Sequence, residues 1–150
     1  MKSKGKILVV GMGNLLRRDE GVGVHVIREM ERIPLPNHME FLDMGTSTLD
    51  LVCHLDAVDK LVVIDAMKAG GEPGTIYKCA PEDLIPKEEG PISLHEIGLL
   101  ESLSMARKMG KQVETVVIGV EPENLGWGLE MSDTIRARIP DIVEAVLKEG

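Results

Sequence analysis

The chain has 150 residues, 43% of them apolar and 28% charged, which suits one soluble domain spanning 1–150 with its own core. Its formal charge of −8 repels phosphate backbones and sets nucleic acid aside as a main partner. No apolar run approaches the ~20 residues that span a bilayer, and Met-Lys-Ser-Lys-Gly-Lys passes straight into a strand without a secretory apolar segment, so a cytoplasmic protein with no membrane insertion is expected.

In chain order, residues 6–11 read as a buried strand that ends in the tight turn Gly11-Met12-Gly13-Asn14. A helix over 20–33 follows, with Val22, Val26, Ile27, Met30 and Ile33 on one face and Pro34 and Pro36 beyond its end. Residues 39–44 read as a second strand and 47–57 as a helix. Leu61-Val62-Val63-Ile64-Asp65-Ala66 is a continuously apolar strand that ends on an aspartate, and 74–79 is a further short strand. Residues 80–94 form a long polar loop with three prolines, a length that is often functional. A helix over 95–109 turns Leu99, Leu100, Leu103 and Ala106 inward. Val113 to Val120 is the last long strand, and a helix from Ser132 to Lys148 is expected to kink at Pro140. Cys53 and Cys79 have no metal or redox spacing and read as reduced structural thiols.

Strand–helix alternation with continuously apolar strands implies an α/β fold, a mostly parallel sheet with helices on both faces. Ligands in such folds sit beyond the carboxyl ends of the strands. That rim collects Glu20, Asp43, Asp65, His95 and Glu121. Glu20, Asp65 and His95 form a metal constellation of two carboxylates and one imidazole, suited to nickel or zinc with positions left open. The same three residues also have ordinary roles: a first-turn helix acid, a loop cap, and a helix-start histidine bonded to backbone. Other chemistries find no support. The glycine turn has Leu16 where a dinucleotide fingerprint needs its third glycine, and Asp19 and Glu20 would repel a pyrophosphate. His95-Glu96-Ile97-Gly98-Leu99 lacks the second histidine of a zincin, no Gly-x-Ser-x-Gly elbow occurs, and Cys53 and His54 are adjacent on one element and point apart. Trp127, in Leu125-Gly126-Trp127-Gly128, suits packing under its loop as well as touching a partner.

Five segments, in order, resemble the hydrogenase maturation endopeptidases. They are Gly11 to Gly23 (GMGNLLRRDEGVG), Asp43-Met44-Gly45-Thr46, Leu61 to Ala66, Ser93 to Leu99 with its histidine before a helix, and Val117 to Pro122. The resemblance implies a three-layer fold with a twisted five-stranded sheet. It also implies removal of a C-terminal extension from a nickel–iron hydrogenase large-subunit precursor after nickel insertion. The metal-contacting positions of the family fall on Glu20, Asp65 and His95. The nickel would belong to the precursor, with no permanent cofactor in the enzyme, and would polarise the scissile carbonyl or activate a water, while Asp43 is the candidate to move protons. The alternatives are a peptidase of the same fold with another substrate, such as the related spore-germination proteases, and a non-catalytic nickel-binding assembly factor.

Overall fold

A computed structural model describes residues 5–47, 49–84 and 94–150, with Leu49, Leu94 and His95 described by backbone only. Its elements are β1 (Ile7–Met12), α1 (Val22–Met30), β2 (Met39–Gly45), β3 (Lys60–Ala66), β4 (Ile76–Cys79), α2 (Leu94–Lys108), β5 (Glu114–Val120) and α3 (Asp133–Leu147). Three 3-10 turns, at Arg18–Gly21, Leu49–His54 and Pro81–Leu84, join them. The five strands form one sheet in the order β2-β1-β3-β5-β4, all neighbours parallel except the β4–β5 pair.

Side-chain alternation sorts the apolar residues of these strands into two cores. Ile7 and Val9 of β1 join Val62 and Ile64 of β3 and Ile118 and Val120 of β5 on the face covered by α1 and α3. Leu8, Val10, Leu61, Val63 and Val117 face α2 and the Leu49–His54 turn. Both faces of the sheet are therefore dry, as continuously apolar parallel strands require. Glycine allows the layers to meet. A Cβ on Gly23 of α1 would overlap the carbonyl oxygens of Ile64 and Met12, and one on Gly11 would overlap the carbonyl oxygen of Gly23. Helix α1 thus lies directly against the carboxyl ends of β1 and β3.

The expected strands are all present, with bounds shifted by one or two residues. Two expected helices are corrected. The segment 20–33 is a 3-10 turn followed by α1, which stops at Met30, and Ile33 is 40% exposed. Pro34 disfavours helical dihedrals at the residue before it, so Ile33 leaves the helical face. The segment 47–57 contains only the turn Leu49–His54, because Ala57 takes φ of 60° and ends any helical path. Within the 80–94 loop, Pro81–Leu84 is a 3-10 turn and 85–93 lie outside the described residues. Helix α3 continues through Pro140, which is on its exposed side, so the Arg136 carbonyl that loses its donor faces solvent.

One histidine makes the packing of α1 pH-sensitive. The Nε2 atom of His25 is buried with no hydrogen-bond partner among the described residues. Burial, then Arg28 and Arg136, hold its pKa below the ordinary 6.5. The folded protein therefore keeps His25 neutral, and the unfolded chain binds the proton more readily. That contribution to stability is complete above 6.5 and is lost as the pH falls through the lower folded value. Urea midpoints measured at about pH 7.5 and about pH 5.5 should differ more for the native protein than for His25→Leu. Equal differences would assign the acid sensitivity elsewhere.

Candidate functional site

Chain direction reverses its sense of winding at β1. From β1 the chain goes through α1 to β2 on one side, and β3 then lies on the other side of β1. A crevice opens outside the carboxyl ends of two strands at such a switch point. Here those strands are β1 and β3, and one acid stands at each. Glu20 is in the Arg18–Gly21 turn that follows β1 and packs against β3. Asp65 is the penultimate residue of β3.

Asp65 is fully buried. Two residues after Val63, it shares the α2 side of the sheet by alternation. Helix α2 ends close to the start of β5, so it runs antiparallel to the strands. Its 15 residues, at ~1.5 Å each, match the length of the 7-residue strands β3 and β5. The backbone of His95, in its first turn, therefore stands at the level of the rim on the face to which Asp65 belongs. The His95 side chain lies outside the described residues. Among those residues no three His, Cys, Asp or Glu side chains form a group able to hold a metal ion.

The consecutive acids Asp19 and Glu20 have different tasks. Asp19 is fully buried and takes hydrogen bonds from across the chain. Its Oδ2 accepts from the backbone N–H groups of Glu123 (2.9 Å) and Asn124 (2.7 Å) and from the Ser132 hydroxyl (2.8 Å), and its Oδ1 accepts from the Ser132 N–H (2.8 Å). Ser132 is the N-cap residue of α3, but its hydroxyl donates to Asp19 and not to the helix. Asp19 ties down both ends of the 123–132 loop. Glu20 is one residue further along the turn, so that anchor sets where its carboxylate begins. The Gly13 backbone sets the other side: with φ of 133°, a Cβ there would overlap the Glu20 carbonyl oxygen. Glu20 Oε2 is 3.0 Å from Arg17 Nη1, and the Glu20 side chain is 16% exposed. A metal that reaches Glu20 competes with this guanidinium.

Asp43 and Glu121 are at the rim but apart from the pair. Asp43 is on β2, separated from β3 by β1, and pairs with Gly11 in register, as does Ile64. Alternation therefore sends Asp43 to the α1 side and Asp65 to the α2 side. Asp43 is exposed, and its Oδ1 accepts the Gly45 N–H at 3.0 Å. The Gly45 carbonyl in turn accepts the Gly13 N–H at 2.9 Å, which links this turn to the backbone beneath Glu20. Glu121 is buried, and its Oε1 accepts from Ala69 N–H, Gly71 N–H and the Tyr77 hydroxyl at 2.8–2.9 Å. It holds the segment that leaves β3 just beyond Asp65. Sequence spacing marks Asp19 and Glu121 as acids at the rim but carries no signal of these anchoring roles, because all of their partners are distant in sequence.

Comparison with known proteins identifies the family. Residues 24–149 match the family model described as hydrogenase maturation protease. The chain is 37% identical over 144 residues to the hydrogenase expression/formation protein HupD of Bradyrhizobium diazoefficiens, with 93% of this chain and 74% of that protein covered. It is 34% identical over 145 residues to the hydrogenase 2 maturation protease of Escherichia coli, with 95% and 88% covered. The solved structure of the hydrogenase maturating endopeptidase HybD from E. coli superposes with a TM-score of 0.87 at 32% identity, covering 96% of this chain and 91% of that one.

Proposed function

Because this chain belongs to the hydrogenase maturation protease family, we propose that it removes the C-terminal extension of a nickel–iron hydrogenase large-subunit precursor once nickel is in place. The observation that carries the reading is the switch point itself. Glu20 lies in the turn that follows β1, Asp65 near the end of the adjacent β3, and His95 in the first turn of α2.

In this reading the nickel arrives as part of the substrate, and Glu20, Asp65 and His95 contact it. Two carboxylates and one imidazole are a modest donor set. Binding becomes tight only when the precursor supplies ligands of its own, so an unloaded precursor gains little from the site. The metal polarises the scissile carbonyl or activates a water. The reaction takes place in the cytoplasm. No helix among the described residues is long and apolar enough to cross a membrane.

Incubation with nickel-loaded and nickel-free precursor, followed by intact-mass spectrometry, tests the proposal. Loss of a C-terminal peptide from the loaded form alone is expected. Equal cleavage of both forms would remove the metal from recognition. Cleavage of neither would leave a non-catalytic assembly role.

Asp43 is assigned the movement of protons, and its two substitutions separate this from turn-holding. Asn keeps an oxygen for the Gly45 N–H but cannot act as a base, whereas Ala loses both functions. Both variants should cut the cleavage rate by roughly 10²-fold or more if Asp43 carries protons. A normal rate with Asn and a low rate with Ala would reassign Asp43 to holding the turn.

A further inference from the structure

Beside Glu20, three large apolar side chains are held out in water. Leu16 is 55% exposed, Trp127 75% and Leu129 68%. They come from segments more than a hundred residues apart, joined by a parallel bridge between Arg17 and Gly128. The Arg18 N–H donates to the Gly128 carbonyl at 3.0 Å, and the Gly128 N–H to the Leu16 carbonyl at 2.8 Å.

The loop that carries Trp127 and Leu129 is fastened at many points. Asp19 holds Glu123, Asn124 and Ser132, the Asn124 side chain accepts the Gly126 N–H, and Arg17 Nε donates to the Leu125 carbonyl. A loop so held cannot fold back to hide its apolar tips. Rigid apolar groups kept exposed together are the usual mark of a docking surface.

Arg17 joins this shelf to the candidate site. Its Cζ is 5.9 Å from the centre of the Trp127 ring, and its Nη1 is 3.0 Å from Glu20 Oε2. A substrate whose metal reaches Glu20 therefore passes over Trp127. We propose that Leu16, Trp127 and Leu129 form a shelf that docks an apolar segment of the precursor polypeptide next to its metal. This rests on the proposed function above for the identity of the occupant.

Trp127 is the only tryptophan of the chain. Protein grown with 5-fluorotryptophan therefore has a single 19F resonance that reports on the shelf, whatever tryptophans the precursor contains. Titration with nickel-loaded precursor should shift or broaden that resonance and remove its sensitivity to exchange of H2O for D2O. In parallel, Trp127→Ala and Leu129→Ser should each raise KM for the loaded precursor by roughly 10- to 100-fold, with a smaller effect on kcat. Their urea midpoints should be unchanged, since the side chains removed are exposed.

An unmoved resonance and unchanged KM while the native enzyme cleaves would overturn the shelf and leave the proposed function standing. A moved resonance without cleavage would keep the shelf and overturn the proteolytic reading. A resonance that moves with enzyme concentration alone would make the shelf a contact between copies of this chain and overturn the proposal.

Discussion

Asp65→Asn, Glu20→Gln and His95→Ala will each slow precursor cleavage by on the order of 10²–10³-fold. The first two substitutions preserve shape and remove one negative charge, so they test charge at the site and not packing. A neutral amide is a far poorer ligand for a divalent ion than a carboxylate. Asp65 is the sharpest case. Its side chain is fully buried on β3. Asn has the same shape, so the Asn variant should fold without repacking while it loses activity, which separates the chemistry of the residue from its packing. Glu20→Gln also releases Arg17 from its ion pair, at a cost of less than ~1 kcal/mol for a partly exposed pair. Rates come from intact-mass time courses and stability from urea titration. Any of the three variants that cleaves at the native rate would remove its residue from the site.

The second large effect is on stability. Asp19→Ala should cost about 3–5 kcal/mol, since three backbone N–H groups would lose a charged acceptor and each buried donor left unpaired costs ~1–3 kcal/mol, partly recovered by water. The groups concerned are those of Glu123, Asn124 and Ser132. In a chain of this length such a loss lowers Tm by about 10 °C. Asp19→Asn should fall between Ala and native protein. Its one oxygen can serve the donors on one side, but its amide NH2 then meets an N–H or hydroxyl donor on the other. Thermal unfolding of both variants checks this. A Tm for Asp19→Ala close to the native value would show that water replaces the carboxylate fully. Cleavage should also fall at temperatures where the variant is folded, because the same carboxylate anchors the turn that carries Glu20.

The architecture was legible because its signals are local. Apolar runs such as Leu61 to Ala66 have the composition of a strand buried on both faces, and the sheet has them as expected. The helical reading of 47–57 failed because periodic burial does not separate an α-helix from a 3-10 turn. Leu51, Leu55 and Val58 are buried, yet Ala57 at positive φ forbids a longer helix. For the site, the rule that ligands gather at strand ends picks out Glu20, just after β1, and Asp65, near the end of the adjacent β3. It could not separate them from Asp43, because which face a rim residue takes depends on register: Asp43 and Ile64 share Gly11 as partner. Nor could it tell Asp19 from its neighbour Glu20. The partners of Asp19 are 104–113 positions away, and no local pattern encodes a contact at that range.

That range also bears on when the enzyme can become active. At ~5–20 residues per second, synthesis from Asp19 to Ser132, 113 positions on, takes roughly 6–23 s. Throughout that interval the first acids exist without the donors that seat them. Strand β4 likewise waits for β5, its only neighbour among the described strands, which is made later. A nascent or truncated chain thus has the residues of the site but not its geometry. The seat of the turn that carries Glu20 is therefore completed only by residues that are among the last to leave the ribosome.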